Sequence, residues 1–160
     1  MALWAVVVAL ALGGLLGEPD LPAVSQRRLD AAVKTWQRAL NLDAWDAEAY
    51  FVGASELKPH TLGHSKWDDQ RKTVTILVLR PSSYQVATQP KQAIVDAIET
   101  TVLHELIHLK LHEFTRPTVG AIWDTHVEES LVCELTEAML KLARQFIPRS
   151  NSTLYPETTP

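Results

Sequence analysis

A chain of 160 residues, 46% of them apolar and 21% charged, is long enough for one domain with its own core and too apolar for a disordered polymer. A formal net charge of −4, with no run of Lys or Arg, excludes nucleic acid or an anionic membrane surface as the main partner. The single cysteine, Cys133, excludes an internal disulfide and a cysteine-based zinc knuckle, so any metal must rest on His and carboxylate ligands.

In chain order, the first feature is the uncharged apolar run 2–17, which ends at Glu18-Pro19-Asp20. It is shorter than the roughly 20 residues of a membrane span and has the length of a signal-peptide core. It reads as an export signal or tether, with no stable span left once a signal is removed. No Lys or Arg precedes it and no clean A-x-A site follows, so an apolar N-terminal helix on a cytoplasmic protein is the other reading.

Residues 25–42 carry Leu29, Ala32, Val33, Trp36 and Leu40 at helical spacing, with Arg27, Arg28, Lys34 and Arg38 on the remaining arc, and so predict an amphipathic helix. A strand is expected at 49–52. A turn and a short extended piece follow at 62–67, then a polar turn at 68–70. The clearest strand is 72–80, β-branched and apolar, stopping at Pro81. Residues 82–90 read as a loop. A helix is expected from Lys91 to His112 or Glu113, then a loop over 116–124 and a last helix over 125–146, stopped by Pro148. Residues 148–160, rich in Ser, Thr and Pro, predict a flexible tail, leaving 22–147 as the folded unit. Helix, two or three strands and two long helices make an α+β arrangement.

The chemistry lies on the first long helix. His104-Glu105-Leu106-Ile107-His108 is an HExxH motif. Residues four apart on a helix lie one turn above each other on one face, so two imidazoles can converge on one ion. Glu105 sits one position round the helix, unsuited to be a ligand but able to reach a water on the metal as general base and then acid. Leu103, Leu106, Ile107 and Leu109 bury the motif, and a buried polar cluster requires a partner such as a metal. His112 extends the ladder, but three ligands from one straight helix cannot surround an ion. The third protein ligand is therefore sought among Glu128 and Glu129, about twenty residues beyond His108. The metzincin pattern is excluded, because Leu111 and Phe114 stand where it needs Gly and His.

An HExxH followed some twenty residues later by a helix-borne Glu resembles the gluzincin metallopeptidases. In size and layout the chain, over 62–142, resembles the minimal gluzincin-like proteins of bacteria and phages. The resemblance implies a zincin-like fold over 22–147. It also implies one zinc ion held by His104, His108 and Glu129, with Glu105 as the catalytic residue and a peptide or protein as substrate. Glu129 fits the pattern better than Glu128 because Cys133, Leu135 and Thr136 follow it at the expected spacings. Apolar periodicity instead favours Glu128, in line with Leu131, Leu135 and Leu142. Members often carry Asp or Asn four residues after the ligand to orient a zinc-binding His; here that residue is Cys133, which is poorly suited to the task.

His126, His112 and Tyr84 are candidate donors to a developing oxyanion. The strand at 73–79 is a candidate to line the cleft and pair with an extended substrate, as the edge strand does in that family, and its ordinary role is sheet core. His60 and His64 flank Gly63 near Pro59 and do not suggest a second metal site. Cys133 reads as a small buried residue, and Asn151-Ser-Thr as a formal glycosylation acceptor. A zinc-binding regulatory or interaction module without catalysis is the alternative on the same scaffold.

Overall fold

The structure, a computed structural model, describes residues 26–83, 91–115 and 125–146. Residues 2–17, the loop 116–124 and the tail 148–160, and with them Tyr84 and Asn151, lie outside the described residues. The architecture is α+β, with three helices and one three-stranded sheet among the described residues. In chain order these are α1 (Gln26–Ala39), β1 (Asp46–Val52), β2 (Gly63–Asp68), β3 (Thr73–Leu79), α2 (Lys91–Thr115) and α3 (Thr125–Phe146).

Helix α1 buries Leu29, Ala32, Val33 and Trp36, the stripe set by its period. It ends three residues short of the expected Leu42. Asn41 adopts a left-handed φ of 52°. The Asn41 amide bonds the Arg38 carbonyl and the Leu42 amide bonds that of Gln37, the paired bonds of a Schellman stop. Asn tolerates that backbone better than other residues with a side chain, which is why the chain turns there.

The sheet order is β1-β3-β2, with β1 parallel and β2 antiparallel to β3. Register places Ala47, Ala49 and Phe51 beside Val74, Ile76 and Val78, and these beside Trp67, Ser65 and Gly63, all on one face. Helices α1 and α2 pack against the sheet, and α3 packs on α2. The reading of 73–79 as a strand to pair with substrate is corrected here. Strand β3 is central, and its backbone donors and acceptors are engaged by β1 and β2 on both sides. The strand beside α2 whose other edge has no neighbour among the described residues is β2.

Two indoles fasten α2 to the N-terminal half. Trp36 donates to Glu99 (3.2 Å) and Trp45 to Glu113 (2.8 Å). In α2 itself Ile94, Ile98, Val102, Leu103, Leu106, Ile107 and Leu109 are all buried, so the helix is apolar on nearly every side. On α3 the buried face is Val132, Thr136 and Leu140, whereas Leu135 and Leu142 are exposed. Leu131, Leu135 and Leu142 therefore do not mark the inward face. Glu128 lies in line with Val132 and Thr136, four and eight residues on, and it turns toward α2 for that reason.

Gly63 lets β2 lie close on α2. A Cβ built there would stand 2.3 Å from Thr101 Cγ2 and 3.1 Å from the Leu77 carbonyl oxygen. The Thr101 side chain is held by its hydroxyl on the Ala97 carbonyl (2.8 Å), so it does not simply swing aside. Gly63→Ala is expected to cost about 1–3 kcal/mol in urea unfolding by overpacking. A midpoint equal to wild type would refute this close packing.

Candidate metal centre

Strand β2 runs along α2 with alternate residues facing it. Gly63 meets Thr101, Ser65 meets Glu105, and Trp67 meets His112. Beside that line, between α2 and α3, His104 and His108 stand one turn apart with ring centroids 4.9 Å apart and planes nearly perpendicular. Their Nε2 atoms are 3.2 Å apart. Glu129 reaches across from the first turns of α3, with Oε2 3.5 Å from His104 Nε2 and Oε1 3.4 Å from His108 Nε2. The three side chains each offer a ligand atom, all within 4.8 Å of one another, and can hold a metal ion; among the described residues this is the one such group. His104 and His108 are half-buried and Glu129 is exposed, so the cluster opens to solvent on the α3 side.

Glu128 takes a different position from its neighbour. Its Oε1 lies 2.9 Å from Nδ1 of His108, the nitrogen on the side of the ring away from the cluster. One turn of α3 thus contributes a carboxylate to each nitrogen of the same imidazole. Burial, reinforced by His108 beside it, pulls His104 below the ordinary histidine pKa, against the opposing effect of Glu105 and Glu129. Neutral imidazole is the form whose lone pair can bind a metal.

Glu105 is only 8% exposed. Its Oε2 accepts a 2.6 Å hydrogen bond from the Ser65 hydroxyl, itself buried. Ser65 carried no signal in the sequence, since it stands 40 positions from Glu105 in a segment that reads as a turn and a short extended piece. Only the register of β2 along α2 brings the two together.

The remaining candidates lie elsewhere. His112, a candidate oxyanion donor, is half-buried; its Nε2 lies 2.8 Å from Asp69 and its ring is tilted against Trp67 at 5.2 Å. His126 is exposed in the first turn of α3. His60 sits in a loop with a left-handed φ of 65°. His64 pairs with Leu77 in register, on the face of the sheet opposite Ser65. Cys133 is a half-buried free thiol whose pKa is raised by burial and then by Glu129 and Glu137, so it is not an activated nucleophile. Among the described residues no helix is long and apolar enough to cross a membrane. Set against known protein families, curated proteins and solved structures, the chain gives no match.

Proposed function

We propose that the protein is a zinc-dependent hydrolase of zincin-like, gluzincin type that cleaves peptide bonds, with His104, His108 and Glu129 as the ligands and Glu105 as the catalytic residue. The observation that carries this reading is the convergence of two imidazole nitrogens and the Glu129 carboxylate, each able to offer a ligand atom within 4.8 Å of the others. Ligands arranged tetrahedrally about zinc at about 2.0–2.1 Å stand roughly 3.3–3.4 Å from one another. Here the two Nε2 atoms stand 3.2 Å apart, and each faces a different oxygen of the Glu129 carboxylate, that of His108 facing Oε1 at 3.4 Å and that of His104 facing Oε2 at 3.5 Å, so the group is gathered at about that scale. Two imidazoles and one carboxylate are also a donor set that catalytic zinc sites use, leaving one position open.

When bound, zinc supplies a Lewis acid that polarises the scissile carbonyl and acidifies a water in that open position. The protein's own residues do the rest. Glu105 accepts a proton from the attacking water on a carboxylate oxygen and delivers it to the amine nitrogen that leaves. Ser65 holds the other end of that carboxylate, fixing its rotamer. The edge of β2 that has no neighbour among the described residues offers backbone groups to an extended peptide lying beside α2. Peptide hydrolysis rather than another amide or ester reaction rests on the HExxH pattern and its resemblance to the gluzincins.

The near-burial of Glu105 and its bond to Ser65 favour the second reading, a zinc-binding module without catalysis. Purified protein carrying one equivalent of zinc, incubated with an unstructured protein and with mixed quenched peptides, separates the two. Cleavage abolished by a chelator and restored by zinc is the expected result. Fully loaded protein that leaves every substrate intact would establish the module instead.

A further inference from the structure

We infer that Glu128 is the positioning residue of the metal centre, holding His108 with its proton on Nδ1 so that Nε2 presents a bare lone pair to the metal. The inference rests on the zinc reading above and adds a role that the HExxH pattern does not assign.

Its basis is the divergence of two consecutive carboxylates. Glu128 Oε1 lies 2.9 Å from His108 Nδ1, while Glu129 Oε1 lies 3.4 Å from Nε2 of the same ring. A carboxylate oxygen faces each nitrogen, but the 2.9 Å contact at Nδ1 has the length of an N–H···O hydrogen bond and the 3.4 Å contact at Nε2 is longer, so the geometry favours Nδ1 as the donor. A neutral imidazole carries one N–H, and placing it on Nδ1 leaves Nε2 as the lone-pair nitrogen. The contact also fixes rotation about the Cβ–Cγ bond, because the ring is held from behind while its front nitrogen faces His104 and Glu129. The Glu128 side chain is 31% exposed and that of His108 13%, so the bond is partly shielded from competing water. Cys133, four residues beyond Glu129, is a half-buried thiol with a weak capacity to accept, and it does not compete for this task. Consecutive helical residues point about 100° apart, so a single turn of α3 delivers both the ligand and the group that orients its partner.

The test compares wild type, Glu128→Ala, Glu128→Gln and Glu129→Ala in the full chain by two measurements. The first is zinc affinity from competition with a chromophoric chelator. The second is the His108 tautomer, from long-range proton–nitrogen correlation of the metal-free protein at about pH 8, where an ordinary imidazole is neutral. In wild type His108 is expected to carry its proton on Nδ1. Glu128→Ala should shift it toward Nε2–H and weaken zinc binding by about 10–100-fold. Glu128→Gln, whose amide oxygen still accepts, should keep the Nδ1–H tautomer and most of the affinity. Glu129→Ala should weaken zinc more than Glu128→Ala and leave the tautomer unchanged. Glu128→Ala with wild-type affinity and tautomer would overturn the inference, as would a greater loss of zinc in Glu128→Ala than in Glu129→Ala, which would make Glu128 the ligand. Wild-type protein that binds no zinc while His108 keeps the Nδ1–H tautomer would fail the zinc reading alone. Circular dichroism of each variant shows that the fold is retained, and Glu128→Gln supplies the comparison should the alanine variant unfold.

Discussion

Glu105→Gln is expected to lower kcat/KM for peptide cleavage by about 10²–10⁴-fold while bound zinc stays at one equivalent, the range general acid–base catalysis contributes. The substitution is nearly isosteric. The Ser65 hydroxyl, which donates to Glu105 Oε2 at 2.6 Å, can donate equally to an amide oxygen, so packing at this 8%-exposed position is preserved. What disappears is an atom able to take a proton and return it. Glu105 is not one of the three residues whose ligand atoms cluster, so metal content should not change. Parallel measurement of zinc by atomic absorption and of initial rates on a quenched peptide separates the two roles. Equal rates in the two proteins would remove Glu105 from the chemistry. Zinc lost together with activity would instead make it part of the metal shell.

The other large effect lies in the core. Leu106→Ala should destabilise the protein by about 2–5 kcal/mol, the cost of a buried Leu truncation together with the cavity it leaves. Leu106 is fully buried in a cluster that includes Ile76, Val78, Leu103 and Val132. Two and two residues from His104 and His108, it projects from the opposite side of α2, so the truncation removes packing without removing a ligand. The measurement is urea unfolding in the presence of a chelator, because zinc bound only to the folded state would add its own stabilisation and mask the loss. A loss below about 1 kcal/mol would mean that the surrounding helices collapse into the space, and that α2 is held mainly by its polar clamps at Glu99 and Glu113.

Much of this was legible in the sequence because it is local. The stripe Leu29, Ala32, Val33, Trp36 dictates α1 whatever surrounds it, and the β-branched run into Leu79 dictates a strand. The helix 125–146 reads directly from its own period and from the proline beyond it. His104 and His108 share a face because four residues make about one turn, a property of any α-helix. Where local patterns or the resemblance were followed across elements they misled. The family resemblance made 73–79 a candidate substrate-pairing strand, yet it lies between β1 and β2, the sheet-core place that its apolar run ordinarily means. Leu135 and Leu142 look like a core stripe, yet they are exposed.

By itself, then, the sequence determined an α+β chain with a pair of histidines on one turn of a buried helix and Glu105 beside them. Only the tertiary structure decided what surrounds that turn. The rotation of α3 about its own axis sends Glu129 to the front nitrogens and Glu128 to the back of His108, a choice on which the motif's spacing favoured Glu129 and apolar periodicity favoured Glu128. The register of β2 along α2, allowed by the missing Cβ at Gly63, sets Ser65 on Glu105. Both depend on how separate elements seat against each other. That seating is governed by packing summed over the whole core and not by the preferences of any one segment.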